Sequence, residues 1–146
     1  RQATVGDLDA ISPLFDAYRV FYEECSDLDA AQAFLEENLL HERSSVFLFE
    51  ENGHVVGFTQ LYPAVCSVAM KPFYVLYDLY VVPEARAHGI GTALLRHAHT
   101  WARAKGAFRV DLETAHSNTT AQSIYEAVGY ELDTEFRKYS FDLASE

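Results

Sequence analysis

The fold of this chain is constrained most by one stretch, in which a strand, a glycine-rich turn and a helix follow one another directly. Residues 73–82 form an almost unbroken apolar run, which predicts a strand buried on both faces. The turn Arg86-Ala87-His88-Gly89-Ile90-Gly91 follows. Helical spacing of apolar residues then predicts a helix over residues 89–105, whose core-facing residues are Ile90, Leu94, Leu95, Ala98 and Trp101. Glycines let backbone N–H groups approach a ligand, and a helix N-terminus offers unpaired donors and partial positive charge. The combination predicts an anion site, most often for phosphate.

Two familiar phosphate-binding motifs do not fit this turn. A nucleotide-hydrolysing P-loop needs a lysine after its last glycine, whereas Gly91 is followed by Thr92. A dinucleotide site needs a third glycine and an acidic residue about 20 positions on. Neither pattern is met, so the turn is expected to bind a different phosphate-containing ligand.

Composition narrows the class of protein. The 146 residues suit a single domain, residues 1–146, and nearly half are apolar. The net charge of −11 disfavours nucleic acid and favours cationic partners such as amines, although solubility alone explains many acidic surfaces. No apolar run is long enough for a membrane span. Cys25 and Cys66 lack disulfide or metal spacing, which predicts reduced thiols and a cytoplasmic protein.

The first half of the chain predicts helices and then a hairpin. Residues 2–5 read as a first strand, and Asp7 as the N-cap of a helix containing Pro13. A second helix is predicted over residues 29–40, with Ala30, Ala33, Phe34 and Leu39 on its buried face. Asn52-Gly53 is a strong hairpin signal between strands predicted at 45–49 and 55–62. Residues 63–72, bounded by two prolines, are predicted to form a loop.

The second half predicts a strand, a helix and a closing hairpin. The strand covers residues 108–113, and the helix covers residues 119–128, capped by Ser117 or Asn118 and ended by Gly129. Two further strands are predicted at 130–132 and 136–141. The order indicates an α/β protein with a mixed sheet.

Two segments resemble signatures of the GNAT superfamily, the Gcn5-related N-acetyltransferases. The first is the glycine turn itself, preceded by Leu79-Tyr80-Val81-Val82-Pro83 as in that family. The second, in the expected order, is Asn118-x-x-Ala121-x-x-Ile124-Tyr125-Glu126-x-x-Gly129-Tyr130. The resemblance covers essentially the whole chain, although the first 45 residues match only in element order.

The resemblance implies a GNAT-like fold and acetyl-CoA as acyl donor, with no metal. The implied sheet is mixed and mostly antiparallel, with six to seven strands flanked by about four helices. It is splayed between the strands at 73–82 and 108–113, where the cofactor pairs with exposed backbone. The residues that the resemblance assigns to the cofactor are Leu79, Tyr80, Val81, Arg86, Ala87, His88, Gly89, Ile90, Gly91, Thr92 and Asn118.

Three side chains are candidates for the chemistry. Tyr125 matches the family's general acid, which returns a proton to the departing thiolate. Asp78 and Glu113 are both candidates to accept a proton from the amine, since each resembles an acidic position in amine-acetylating or N-terminal-acetylating relatives. Tyr77 departs from the acidic pair of the polyamine-acetylating relatives. Either carboxylate also has the ordinary reading of a surface charge or cap partner, and His116 is a reserve candidate.

The implied activity is acetyl transfer from acetyl-CoA to a primary amine in a ternary complex, since no cysteine is placed as an acyl carrier. The acceptor class is a small cationic amine, an amino acid or a basic peptide, and the protein is a possible homodimer. Two alternatives stay open. One is a protein lysine or N-terminal acetyltransferase, and the other is a non-catalytic CoA-binding sensor or subunit.

Overall fold

The structure is a computed structural model that describes residues 1–144. Four helices and four strands form its regular part, with short 3₁₀ turns at Val5–Asp7 and Pro83–Ala85. The helices are α1 (Leu8–Phe21), α2 (Leu28–Leu40), α3 (Ile90–Ala104) and α4 (Thr119–Val128); the strands are β1 (Ser45–Glu51), β2 (His54–Cys66), β3 (Lys71–Val81) and β4 (Val110–Leu112).

The strands form one mixed sheet in the order β1-β2-β3-β4. The first two pairs are antiparallel and the pair of β3 with β4 is parallel. That parallel pairing ends at Leu76 and Leu112, although β3 continues to Val81. Residues 77–81 therefore form an edge with no strand beside it on the β4 side, which we call the splayed edge. The expected fold class and the splay are confirmed.

The expected six to seven strands are wrong, because the described residues contain four. Gln2 makes only an isolated bridge to Phe47. The chain then turns at Thr4, whose hydroxyl accepts from the Gly6 backbone N–H, and Asp7 reaches back to the Thr4 N–H at 2.8 Å. Thr4 thus caps the first turn, and Asp7 is the N-cap residue of α1 as predicted, although its side chain bonds back to Thr4 and not to the helix.

The closing strands predicted at 130–132 and 136–141 are also absent from the described residues. The side chain of Asp133 accepts from the backbone N–H groups of Glu135 and Phe136. Such local bonds give the backbone an alternative to a strand ladder. The segment leaves several large apolar side chains exposed, namely Leu132, Phe136, Tyr139, Phe141 and Leu143.

Residues 63–72 form the end of a hairpin and not a loop. Strands β2 and β3 extend to Cys66 and from Lys71, and Pro63 is in register with Tyr74. The proline is tolerated because β1 pairs with β2 only as far as Leu61, so that beyond Leu61 the outer side of β2 is an edge needing no donor.

Two apolar clusters hold the helices on opposite faces of the sheet. Helices α1 and α2 pack through Ile11, Phe15 and Leu35 on one face, and α3 packs through Leu94 and Leu95 on the other. The buried face predicted for α3 is confirmed, except that Ala102 is buried and Trp101 is half-buried. The face predicted for α2 is wrong. Its buried residues are Ala31, Leu35 and Asn38, since Asn38 bonds to polar side chains of β2.

Three local predictions are confirmed. Asn52 and Gly53 both have positive φ, 52° and 77°, as the tight turn between β1 and β2 requires. Helix α4 begins after Asn118, whose side chain accepts from the Ala121 N–H at 3.2 Å, and ends at Gly129 with φ 114°. The strand predicted at 108–113 is shorter, Val110–Leu112.

Candidate active site

A cavity of about 780 Å³ lies between α1, α2 and the region where β3 and β4 separate. We call it the aromatic cavity, because six of its lining residues carry aromatic rings. Asp78 of β3 lines the cavity. Glu113 and Thr114, which directly follow β4, line it as well. The rings belong to Phe15, Tyr18, Tyr22, Phe34, Tyr62 and Tyr77.

Asp78 is the buried carboxylate of this cavity. Its residue surface is only 4% exposed, and its Oδ2 accepts a hydrogen bond of 2.6 Å from Nε2 of Gln60. Burial raises the pKa of Asp78 to about 6, an effect that the hydrogen bonds from Gln60 and Tyr18 partly offset. The carboxyl is therefore poised to exchange a proton near neutral pH.

Gln60 is fixed by a buried polar chain that runs from α2 to β3. Its Oε1 accepts from Ser44 Oγ at 2.6 Å and from Asn38 Nδ2 at 3.2 Å. Both partners offer hydrogens, so the amide group must turn its own Nε2 toward Asp78. The sequence alone does not indicate a role for Gln60. Its partner Asn38 lies 22 positions away, and a lone glutamine in a strand gives no signal of burial.

Tyr18 joins α1 to the bulged part of β3. The pairing of β2 with β3 shifts after Gln60, which leaves Tyr77 as an extra residue of β3. The Tyr18 hydroxyl donates to the Tyr77 carbonyl at 3.1 Å and also lies close to the Asp78 carboxyl. Burial and the neighbouring Asp78 raise the pKa of the Tyr18 phenol, which keeps it a donor.

Glu113 lines the same cavity in a very different environment. Its side chain is 68% exposed, and its Oε2 lies 2.6 Å from Nζ of Lys138, which is equally exposed. The structure therefore brings both predicted carboxylates to one cavity, with Asp78 buried and Glu113 exposed and ion-paired. The neighbouring Thr114 hydroxyl is buried and has no partner within residues 1–144, a feature that the sequence did not indicate. His116 is exposed.

Tyr125 lies on α4, packed against the apolar cluster beneath α3. Burial raises its pKa to about 12, and the Tyr22 phenol adds to this effect. Tyr22 lines the aromatic cavity, so Tyr125 stands close to that cavity without lining it. Its ring contacts the ring of Tyr130, whose hydroxyl is 2.7 Å from Nε2 of His99.

The glycine turn has the geometry of an anion cradle. Gly89 is the N-cap of α3 with φ 77°, and no side chain of residues 1–144 caps the helix there. The backbone N–H groups of the first turn are thus free of a side-chain acceptor. A Cβ built on Gly91 would meet no protein atom within 4 Å, so packing does not explain the glycine. Both features fit a phosphate group, and His88 in the same turn is exposed.

The turn also contacts the splayed edge. Nε of Arg86 donates to the Val81 carbonyl at 2.8 Å, and its guanidinium lies 5.4 Å from the centre of the Tyr80 ring. The remaining residues expected at the cofactor site are close by in the chain. Leu79 lies on this edge, and Ala87, Ile90 and Thr92 belong to the turn and to the start of α3, whereas Asn118 caps α4.

Within residues 1–144, no three His, Cys, Asp or Glu side chains are grouped closely enough to hold a metal ion. In the same range, no helix combines the length and apolar character needed to cross a bilayer.

Known proteins match the chain over most of its length. The model of the acetyltransferase (GNAT) family matches residues 11–130. The uncharacterized N-acetyltransferase YhfO of Bacillus subtilis (strain 168) is 48% identical over 98% of this chain and 96% of its own. A crystal structure of a probable acetyltransferase superposes with a TM-score of 0.92 at 37% identity, covering 100% of this chain and 98% of that one.

A more distant solved structure shares the fold. Aminoglycoside N-acetyltransferase AAC(6')-Iy, determined in complex with CoA, has a TM-score of 0.80 at 22% identity. The match covers 97% of this chain and 92% of that one.

Proposed function

The chain belongs to the GNAT family of acetyltransferases, and we propose that its 146 residues act as one domain that transfers an acetyl group from acetyl-CoA to a primary amine. One observation carries the proposal: a buried carboxyl, Asp78, faces an aromatic cavity at the point where the sheet splays. A similarly folded aminoglycoside acetyltransferase was solved with CoA, which supports the donor.

The donor site is proposed at the glycine turn and the splayed edge. The free N–H groups at the start of α3 and the open space beside Gly91 suit a pyrophosphate. Residues Leu79, Tyr80 and Val81 lie beyond the last pair of β3 with β4, which leaves space beside this edge for an extended pantetheine chain. Arg86, whose side chain already covers Val81, and Asn118 flank this region. When bound, acetyl-CoA supplies an activated acetyl thioester.

Asp78 is proposed as the group that accepts the proton of the amine, directly or through a water. Only the neutral amine can attack, whereas the protonated ammonium form of a primary amine dominates at neutral pH. The raised pKa of about 6 leaves Asp78 largely ionised at pH 7 and close enough to that pH to accept a proton. Glu113 is the less suitable base, because it is exposed and already paired with Lys138.

Tyr125 is proposed as the acid that gives a proton to the sulfur that leaves. Its pKa of about 12 keeps the phenol protonated throughout the neutral range. Its place beside Tyr22 puts it near the aromatic cavity, where the amine is proposed to bind. No acyl-enzyme is required, since an amine in the cavity can attack directly in a ternary complex.

The test is release of free thiol from acetyl-CoA in the presence of amines, amino acids and basic peptides, with the acetylated product identified by mass spectrometry. Product formation with any of them supports the enzyme. Tight CoA binding without thiol release from any acceptor would instead favour a CoA-binding module. A peptide acceptor that outperforms every small amine would indicate a protein acetyltransferase.

A homodimer is also proposed. Large apolar side chains of the C-terminal segment are exposed in the single chain, and exposed apolar patches mark interaction surfaces. Light scattering on the purified protein tests this, because a dimer gives twice the chain mass of 16.5 kDa. A cytoplasmic location stays a prediction.

A further inference from the structure

The charged side chains that line the aromatic cavity indicate the charge of the acceptor better than the overall net charge of −11 does. Five charged side chains line the cavity: Arg19, Glu24, Asp78, Glu113 and Lys138. Their formal sum is two positive and three negative charges, which leaves one negative charge in excess. For its 15 lining residues this excess is no larger than the average for the whole chain, so the cavity is not an especially acidic patch.

Four of these five side chains are already partnered with one another. Nζ of Lys138 lies 2.6 Å from Glu113, and Nη2 of Arg19 lies 3.9 Å from Glu24. Arg19 also lies 3.8 Å from Asp16, outside the cavity lining. Asp78 is the one lining carboxylate without a cationic partner within residues 1–144. One ammonium group, placed at Asp78, would balance it.

Apart from Thr114, the rest of the lining is apolar or aromatic. Phe34 stacks on Phe15 with ring centres 5.6 Å apart, and Tyr62 meets Tyr77 edge to face at 5.9 Å. Such rings bury the apolar body of a ligand and attract one ammonium through their faces. These rings supply no carboxylate that could pair with a second or third cation. A further ammonium would have to stay unpaired in a largely apolar cavity or displace Lys138 from Glu113.

We infer that the acceptor is a primary amine with a single positive charge on an aromatic or otherwise apolar body, and not a polycation such as a polyamine or an aminoglycoside. The inference rests on the proposed function for the identity of the site. It assigns Asp78 to the ammonium and the rings of α1, α2 and β2 to the body of the acceptor. It also assigns Lys138 a role in specificity, since this lysine already neutralises the second carboxylate.

The experiment compares matched amines on the full chain. The probes are 2-phenylethylamine and hexylamine, each with one charge, against 1,6-diaminohexane, spermidine and kanamycin. Binding to the CoA-loaded protein is measured by calorimetry, and turnover by thiol release. The single-charge amines are expected to bind at least about tenfold more tightly than 1,6-diaminohexane, and to have the higher kcat/KM. Equal or tighter binding of the polycations overturns the inference.

The two measurements separate the inference from the proposed function. Preferential binding of 2-phenylethylamine without turnover keeps the inference and removes the enzyme. Turnover that is fastest with spermidine or kanamycin keeps the enzyme and removes the inference.

Two variants sharpen the test. Phe34→Ala should raise KM for 2-phenylethylamine several-fold. Phe108→Ala, which removes a ring of similar exposure far from this cavity, is the matched control and should not. Lys138→Ala frees Glu113 and should raise kcat/KM for 1,6-diaminohexane relative to that for hexylamine. An unchanged ratio in Lys138→Ala, or equal effects of the two phenylalanine variants, counts against the inference.

Discussion

Nε2 of Gln60 donates a hydrogen bond of 2.6 Å to Oδ2 of Asp78, and the two residues are 0% and 4% exposed. Ser44 and Asn38 hold the other end of the Gln60 amide, so its orientation is fixed. A hydrogen bond to the charged form of a carboxyl favours that form. Gln60 therefore limits how far burial raises the pKa of Asp78.

Replacing Gln60 should change the pH dependence of catalysis. In Gln60→Met the carboxylate loses its donor, and the acid limb of kcat/KM is expected to move upward by about one pH unit. Thr59→Val is the matched control, because the Thr59 hydroxyl donates to the backbone carbonyl of Asp78 at 2.8 Å and not to its carboxyl. Both variants should lose about 1–3 kcal/mol of stability. An equal shift of the limb in Thr59→Val would contradict the role given to Gln60.

Asp78 should lower the stability of the folded protein at neutral pH. Its pKa is raised from 3.8 to about 6, so its contribution to stability is fully present below pH 3.8 and is lost as the pH rises through about 6. The difference corresponds to about 3 kcal/mol. The stability of Asp78→Asn relative to the natural chain should therefore increase between pH 4 and pH 8, as measured by urea unfolding. A constant difference across that range would show that Asp78 titrates alike in the folded and unfolded chains, so that burial does not raise its pKa.

Gly91 tests the donor site more cleanly than Gly89. Gly89 has φ 77°, so any side chain there strains the backbone, whereas the φ of Gly91 lies outside that region and a Cβ there meets no protein atom. Gly91→Val is expected to weaken CoA binding about 100-fold or more by occupying the space of a phosphate. Ala104→Val, at the exposed far end of α3, controls for helix propensity. Calorimetric affinities that agree between the two variants would remove the turn as the phosphate site.

Tyr125→Phe should lower turnover far more than it lowers affinity for acetyl-CoA. Loss of a general acid costs about 100-fold or more in kcat. Tyr130→Phe is the matched control, because Tyr130 is half-buried like Tyr125 and its hydroxyl is paired with His99. Steady-state kinetics and CoA binding on both variants decide the matter, and unchanged kcat in Tyr125→Phe would remove it as the acid.

The sequence predicts best where structure is set by neighbouring residues. The Asn52-Gly53 turn, the buried face of α3 and the cap at Asn118 all follow from short patterns. Prediction from the sequence fails where the local structure depends on residues far away in the chain. The buried face of α2 depends on Asn38 reaching β2, and the length of the β2–β3 hairpin depends on where β1 ends.

The candidate site divides in the same way. The two signatures predict the glycine turn and Tyr125, and the resemblance to acidic positions of relatives adds Asp78 and Glu113 as candidates. They do not distinguish a buried Asp78 from an exposed, ion-paired Glu113, because Lys138 lies 25 positions from Glu113. The roles of Gln60 and of the rings of the aromatic cavity likewise depend on how α1, α2 and β3 pack together, which the sequence does not show.

The pH dependence of kcat/KM for the natural chain and Asp78→Asn tests the central claim most directly. With the best amine, the natural chain should lose activity about tenfold per pH unit below an apparent pKa near 6 and level off above it. Asp78→Asn should lack that limb, and its much lower rate should keep rising toward the pKa of the free amine, about 10. An acid limb near pH 6 in Asp78→Asn, or none in the natural chain, would contradict a role for Asp78 as the proton acceptor.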